Sequence, residues 1–129
     1  MSIKYKHYKE LTLTIPTYCN ITRNRNIIIT MYEKIYKIVK QIPYGHVASY
    51  GQISSLICGC TPRLVGYALS SCPDEYNIPW HRVINAQGKI SLRRNGSDEI
   101  TQREMLESEG IKFDINNIVS FNSYGYLPL

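Results

Sequence analysis

Ile78-Pro79-Trp80-His81-Arg82-Val83-Ile84-Asn85 is the stretch on which the interpretation of this chain depends. It contains the only tryptophan of the 129 residues, and a histidine and an arginine follow it directly. The proline before the tryptophan restricts the local backbone, because its ring fixes φ. A lone tryptophan is more often a core residue than a binding residue, because its large surface dominates packing. Its surroundings in the sequence therefore decide how it is interpreted.

Two short helices joined by a turn are predicted ahead of this stretch. Ser49 and Gln52 fit a capping box at the start of a helix that breaks at Gly59. Thr61 then fits the N-cap of a second helix, with a proline in its first turn. Two short helices across a glycine-containing turn are a helix-turn-helix pattern, although many αα-hairpins share it.

A longer amphipathic helix is predicted before this pair, over residues 31–41, because apolar residues recur there at helical spacing. Thr30 fits the N-cap of this helix. Two short strands are predicted further towards the N-terminus. Residues 11–15 alternate apolar and polar side chains, and residues 27–29 are three consecutive isoleucines.

A small β-hairpin is predicted after the tryptophan stretch, where residues 82–84 would pair with residues 89–91 around a turn. A last helix is predicted to end at Glu109-Gly110, because glycine fits the left-handed position that follows a helix. Together these patterns predict a mainly α fold with a small β-hairpin, arranged as a winged helix-turn-helix DNA-binding domain.

Charge is unevenly distributed along the chain. Residues 1–97 carry 13 Lys or Arg against 4 Asp or Glu, whereas residues 98–129 carry 2 against 6. A basic body with an acidic end favours a surface that binds a polyanion, although ordinary surface lysines would give the same balance. The length of 129 residues suits one domain.

The location of the chain is expected to be intracellular, in the nucleus of a eukaryote or in the cytoplasm or nucleoid of a prokaryote. No apolar run approaches the roughly 20 residues that a membrane helix needs. The first residues also lack the apolar core of a signal peptide. We therefore expect no membrane partner.

The four cysteines are expected to be free thiols, as is usual in intracellular proteins. They are Cys19, Cys58, Cys60 and Cys72. A zinc site built from the last three and His81 would need a Cys-x-Cys pair, which is closer than the spacing of common zinc motifs. We therefore predict no metal site and no cofactor.

Pro79-Trp80-His81-Arg82 resembles the active-site motif Pro-Cys-His-Arg of the O6-alkylguanine-DNA alkyltransferases, with Trp80 at the position of the alkyl-accepting cysteine. That replacement is typical of the alkyltransferase-like proteins, which bind alkylated guanine in DNA and do not repair it. The resemblance extends over about residues 31–111. It suggests an N-terminal extension (1–30), an alkyltransferase-like domain (31–113) and a C-terminal tail (114–129).

His81 and Glu109 match the histidine and glutamate that activate the cysteine in those enzymes. An indole has a donor N–H and no nucleophile of low pKa, so Trp80 cannot accept the alkyl group. The resemblance therefore implies that the chain is not an enzyme. We interpret His81 and Glu109 as a retained structural hydrogen-bond network.

The lesion pocket implied by the resemblance consists of Tyr50, Trp80 and Arg93. The indole would form one wall for a flipped guanine, and Tyr50 would push on the phosphate and sugar of the target nucleotide. Arg93 would contact the altered base, although the sequence does not decide whether Arg93 or Arg94 points inward.

The second helix of the pair would enter the minor groove of DNA, by the same resemblance. Arg63 matches the finger that fills the gap left by the flipped nucleotide, and the small residues Gly66, Ala68 and Ser70 would allow close approach. Tyr67 is bulkier than its usual counterpart and could contact the backbone instead. The DNA-binding residues expected here are Thr61, Arg63, Gly66, Tyr67 and Ser70.

The leading hypothesis is a monomeric, non-enzymatic sensor that binds duplex DNA, flips O6-alkylguanine and marks the lesion for nucleotide excision repair. Its partners would be double-stranded DNA with O6-alkylguanine and nucleotide excision repair proteins. One alternative is a residual alkyltransferase that uses Cys72, Cys58 or Cys60, which a methyl adduct in the intact mass would reveal. Another is a winged-helix transcription regulator, which would show sequence preference without lesion preference.

Overall fold

The computed structural model describes residues 25–91 and 96–126. Along these ranges the chain forms α1 (Arg25–Lys40), β1 (Ala48–Ser49), α2 (Tyr50–Ser55), α3 (Pro62–Ser70), β2 (Val83–Ile84), α4 (Gly96–Ser108) and α5 (Phe121–Tyr124). Two 3₁₀ helices, Asp74–Tyr76 and Trp80–Arg82, lie between α3 and β2. None of the helices in these ranges has the length and apolarity needed to cross a membrane.

The predicted mainly α fold with a small sheet is confirmed, but the partner of the second strand differs from the prediction. β1 and β2 pair in parallel, with Ala48 opposite Val83 and Ser49 opposite Ile84. The predicted hairpin between residues 82–84 and 89–91 is wrong. The Asn85 side chain accepts hydrogen bonds from the backbone amides two and four residues later and closes a tight turn. The chain after this turn forms no ladder with β2.

The predicted strand over residues 27–29 is also wrong, because α1 begins at Arg25 and includes these residues. Thr30 therefore lies within the helix rather than at its N-cap. Isoleucine favours strands by intrinsic propensity, but tertiary packing overrides that preference here. Met31 and Ile35, one helical turn apart, are both buried in the core. The strand predicted over residues 11–15 lies outside the described residues.

The helix-turn-helix is confirmed by its caps. The hydroxyl of Ser49 accepts the amide of Gln52 at 3.0 Å, and the side chain of Gln52 accepts the amide of Ser49 at 2.8 Å. Thr61 caps α3 by accepting the amide of Leu64 at 3.2 Å. Each such cap contributes about 1 kcal/mol to helix stability. Gly59, in the turn between the helices, has a positive φ of 79°.

Two hydrophobic clusters meet at the strand pair. Ala48 and Val83 belong to the first cluster, which fills the space between α1, α2 and α3. Val47, directly before β1, and Ile84, directly after Val83, belong to the second cluster, with Leu106 of α4. Neighbouring strand residues point to opposite faces, so a two-residue ladder is enough to separate the two cores.

The C-terminal segment packs on the domain through Tyr126. The amide of Val47 donates to the carbonyl of Tyr124, and the amide of Tyr126 donates to the carbonyl of Val47, both at 2.8 Å. These bonds extend the small sheet on the other edge of β1. Val119 is buried in the second cluster, and its amide donates to the carbonyl of Gly88 at 2.8 Å. Residues after Asp114 thus complete the second core.

Replacing Gly88 by Ala should destabilise the fold more than the same change at Gly110. Both glycines have φ above 80°, where a side chain costs about 1–2 kcal/mol. A Cβ at Gly88 would also lie 2.5 Å from the carbonyl oxygen of Val119, whereas a Cβ at Gly110 would meet open space. The extra clash should add roughly 1–3 kcal/mol to the loss at Gly88. Urea unfolding of both variants measures the difference, and equal losses would contradict the close approach.

Candidate nucleic-acid interface

The backbone before Trp80 forms a tight turn. Pro79 has φ −77° and ψ 64°, the conformation of an inverse γ-turn, and the amide of Trp80 donates to the carbonyl of Ile78 at 2.8 Å. The side chain of Ile78 is buried in the first cluster. The indole is partly buried against the same cluster, and the ring of His81 lies edge-on to it at 6.1 Å. Trp80 is therefore supported on one side and accessible on another.

The end of α4 places Glu109 next to this turn. The amide of Gly110 donates to the carbonyl of Glu107 at 3.0 Å, and the amide of Ile111 donates to that of Leu106 at 3.1 Å. With a φ of 88° at Gly110, this is a Schellman motif in which Glu109 is the C-cap. Leu106 and Ile111 are both buried in the second cluster. Their packing fixes the direction of the Glu109 side chain.

The Glu109 carboxylate connects three segments. It lies 2.6 Å from Nε2 of His81 and accepts three hydrogen bonds of 3.0–3.2 Å from Arg82. It also accepts the backbone amide of Gly45 at 2.8 Å. Arg82 in turn donates to the carbonyl of Ile42, at the end of α1, at 2.9 Å. The structure thus brings the predicted pair, His81 and Glu109, into direct contact.

The pKa of Glu109 shows that this carboxylate is ionised. Burial on its own would raise the pKa, but the hydrogen bonds from Arg82, Gly45 and His81 lower it from 4.5 to about 2. The other ring nitrogen of His81, Nδ1, is buried and has no hydrogen-bond partner among the described residues. The network therefore holds the backbone around Trp80. Among the described residues, no thiol forms a hydrogen bond with Nδ1 of His81.

Arg82 and Gln102 support the backbone around Trp80, and the sequence analysis assigned a role to neither. The contact of Arg82 with Glu109 could have been predicted, because Arg82 is positively charged and directly follows His81, the residue already paired with Glu109. Gln102 of α4 is 2% exposed, and its amide donates to the carbonyls of His81 and Val83, both at 3.0 Å. Ile100, two residues earlier, is 63% exposed. Hydrophobic periodicity therefore could not identify Gln102.

Helix α3 separates its predicted DNA-binding residues from the core. Val65, Ala68 and Leu69 are buried. The residues expected to contact DNA lie on the remaining surface, with Gly66 partly accessible and the others exposed: Thr61, Arg63, Gly66, Tyr67 and Ser70. The last four recur at three- and four-residue steps, which is the spacing of one helical face.

Gly66 has no packing role that requires glycine. A Cβ at this position would meet no atom within 4 Å, and glycine within a helix is less stable than alanine by roughly 0.5–1 kcal/mol. Tyr67, beside it, is 56% exposed. The surface of α3 therefore presents a bare backbone at Gly66 next to a projecting aromatic ring.

The predicted pocket residues are placed in part. Tyr50 opens α2 and, like Trp80, is partly buried against the first cluster. Arg93 and Arg94 lie outside the described residues. Of the predicted pocket residues, the structure therefore describes Tyr50 and Trp80, which both pack on the first cluster.

The cysteines of the described ranges are not activated nucleophiles. Burial raises the pKa of Cys60 to about 11. Burial, together with the charge of Asp74, also raises the pKa of Cys72. Cys58 is disulfide-bonded, so the expectation that it is a free thiol is wrong. No group of three or more His, Cys, Asp or Glu side chains able to hold a metal ion occurs within residues 25–91 and 96–126.

Comparison with known proteins gives consistent matches. Residues 30–111 match the family described as the DNA-binding domain of 6-O-methylguanine DNA methyltransferase. Alkyltransferase-like protein 1 of Schizosaccharomyces pombe is 42% identical over 82 residues, which are 63% of this chain and 76% of that protein. The DNA base-flipping protein of Vibrio parahaemolyticus is 39% identical over 97 residues, or 74% and 94% of the two chains. The crystal structure of S. pombe Atl1 in complex with damaged DNA containing O6-carboxymethylguanine matches with a TM-score of 0.66 and 35% identity, over 75% of this chain and 94% of that chain.

Replacing Glu109 by Gln should reduce stability in a pH-dependent way. The pKa of Glu109 is about 2 in the folded protein, against an ordinary value of 4.5. The stabilisation from its charge is therefore complete above pH 4.5 and is lost as the pH falls towards 2. At pH 7 the variant should be less stable by about 3 kcal/mol, and the difference from the native protein should narrow below pH 4.5.

Urea unfolding at a series of pH values measures this difference. Glu107→Gln is the matched control, because that carboxylate is exposed and pairs with Arg103 at the surface, where an ion pair contributes little. A loss at Glu109 that stays constant from neutral to acid pH would show that the charge is not responsible.

Proposed function

Because the chain belongs to the alkyltransferase-like branch of the 6-O-methylguanine DNA methyltransferase family, we propose that it is a non-enzymatic sensor of O6-alkylguanine in duplex DNA. The observation that carries the proposal is the surface of α3, where Arg63, Gly66, Tyr67 and Ser70 share one accessible face while the opposite face is buried. A helix that exposes an arginine, a glycine and a tyrosine along one line suits close contact with a polyanionic groove.

Helix α3 enters the minor groove in this proposal. Gly66 lets the helix backbone approach the DNA, and Arg63 fills the gap that a flipped nucleotide leaves. Thr61 lies at the N-terminal end of the helix, where backbone amides favour phosphate oxygens. The projecting ring of Tyr67 contacts the DNA backbone. Minor-groove binding of this kind discriminates only weakly between DNA sequences, and it bends the duplex.

The lesion occupies a pocket walled by Trp80, with Tyr50 and Arg93 beside it. The partly buried indole supports this role, because stacking needs an aromatic ring that the protein core holds in place. Alkylated guanine pairs poorly, so its extrusion costs less than that of guanine. The complex of the S. pombe relative with O6-carboxymethylguanine DNA also supports a damaged-DNA ligand.

The absence of repair chemistry follows from the residues near the pocket. Trp80 has no nucleophilic atom of low pKa. The raised pKa values of Cys60 and Cys72 keep both thiols protonated at neutral pH, where a thiol is a poor nucleophile. His81 and Glu109 act as a structural support.

The chain acts as a monomer inside the cell, and the complex that it forms marks the site for nucleotide excision repair proteins. The DNA-binding unit in this proposal is the domain of residues 31–113.

Paired binding tests the proposal. Fluorescence anisotropy compares one duplex that contains guanine with the same duplex that contains O6-methylguanine, at one salt concentration, because phosphate contacts make affinity salt-dependent. The native protein should prefer the lesion, and the emission of Trp80, the only tryptophan, should change on lesion binding. Arg63→Ala should weaken lesion binding by about tenfold or more. Arg93→Ala should chiefly reduce the preference for the lesion.

Two variants serve as matched controls. Lys112→Ala removes one positive charge from an exposed position after α4, outside the proposed DNA-binding residues, and should leave both affinities nearly unchanged. Arg94→Ala should lower both affinities to a similar extent, as loss of a phosphate contact does. Equal affinity of the native protein for the two duplexes would leave a plain DNA-binding domain and would refute the proposed function.

Replacing Gly66 by Ala should affect folding and DNA binding in opposite directions. The open space at this position lets alanine stabilise the fold by roughly 0.5–1 kcal/mol. The added methyl group should nevertheless weaken binding to both duplexes, because it holds the helix away from the groove floor. Urea unfolding and anisotropy measure the two effects on the same protein. Unchanged affinity would show that α3 does not approach DNA along this face.

A further inference from the structure

The last turn of α3 is completed by a side chain from another helix. The amide of Ser71 donates to the carbonyl of Tyr67 at 3.0 Å, and the amide of Cys72 donates to that of Leu69 at 3.4 Å. The carbonyl of Ala68, between these two acceptors, accepts the hydroxyl of Tyr36 in α1 at 2.7 Å. Tyr36 thus fixes the end of the helix whose exposed face carries the proposed DNA contacts.

The ring of Tyr36 also contacts the loop that leads to Trp80. The ring of Tyr76 lies edge-on to it at 5.9 Å and 78°. The ring of Tyr32 packs on it at 6.2 Å. Burial, followed by the neighbouring Cys72, raises the pKa of Tyr36 to about 12, so the hydroxyl remains protonated and can donate. One side chain therefore touches both the end of α3 and the loop beyond it.

Between Tyr76 and Trp80 the backbone has little freedom. The amide of Asn77 donates to the carbonyl of Asp74 at 3.1 Å, and Asn77 itself has a positive φ of 54°. Ile78 is anchored in the first cluster, and the inverse γ-turn at Pro79 follows directly. The position of Tyr76 and the position of the indole are therefore linked by a short and conformationally restricted segment.

We propose that Tyr36 is a positioning residue that sets the position of Trp80 relative to the DNA-binding face of α3. This inference rests on the proposed function and adds a residue to it. The hydroxyl of Tyr36 fixes the end of α3 through Ala68, and its ring fixes the loop through Tyr76. When a duplex binds to α3, its flipped base is then placed next to the indole ring of Trp80. A binding site loses much of its selectivity when its contact residues can move by about 1 Å because the residues behind them do not hold them in place.

Tyr36→Phe tests this inference in the full-length protein, because it keeps the ring and removes only the hydroxyl. Affinity for the guanine duplex should stay within about twofold, since the exposed face of α3 is unchanged. The preference for the O6-methylguanine duplex should fall by about three- to tenfold, the range that one lost hydrogen bond spans. The change in Trp80 emission on lesion binding should shrink in parallel. Tyr32→Phe, in the same ring cluster, is the matched control and should behave as the native protein.

Tyr76→Leu provides a second variant that does not threaten the fold, because Tyr76 is 39% exposed. It removes the ring contact on the loop side and should lower the lesion preference in the same way. Native lesion preference in both variants would overturn the inference while the proposed function stands. An equal loss of affinity for both duplexes would also overturn it, because a purely structural role lowers them together. A native protein without lesion preference would refute the proposed function, and this inference with it.

Discussion

The buried carboxylate of Glu109 is the contact on which the geometry around Trp80 depends. It joins the end of α4 to the 3₁₀ helix of the tryptophan stretch and to the turn after α1. Removing a carboxylate from water is costly unless charged and polar donors surround it. Here Arg82, His81 and a backbone amide supply those donors, and together they lower the pKa to about 2. The negative charge therefore persists well below neutral pH.

The same set of groups holds the backbone on both sides of Trp80. Arg82, which makes three hydrogen bonds to Glu109 and one to Ile42, ties the site to α1. Gln102 adds two bonds to the backbone on either side of Arg82. His81 and Glu109 help to hold the backbone that carries Trp80.

Binding and support are divided between the two hydrophobic clusters. The first cluster carries α3 and the inner side of the indole. The second holds the end of α4, and hence Glu109, through Leu106 and Ile111. The strand pair belongs to both, because its neighbouring residues face opposite sides. Trp80 therefore depends on both cores, directly on the first cluster and through Glu109 on the second.

The local elements of the fold could be predicted from the sequence because their hydrogen-bond partners lie within a few residues. The capping box at Ser49, the N-cap at Thr61 and the glycine stop at Gly110 are of this kind. The expectation for the small residues of α3 was wrong at Ala68, which is buried in the first cluster and does not face outward. The strand predicted for residues 27–29 was wrong, because these residues belong to a helix whose next turns, at Met31 and Ile35, are buried in the core.

By itself, the sequence determined the caps at Ser49 and Thr61, the helix-turn-helix that they begin and the unusual residue in the Pro-Trp-His-Arg motif. Only the tertiary structure decided which strand pairs with β2, that Arg82 is the main donor to Glu109 at a separation of 27 residues, and that Tyr36 reaches Ala68 across 32. It also decided that Gln102 is buried while Ile100 is exposed. The physical reason is common to all four. Each depends on how segments distant in sequence pack together, and residue type and spacing constrain that packing only weakly.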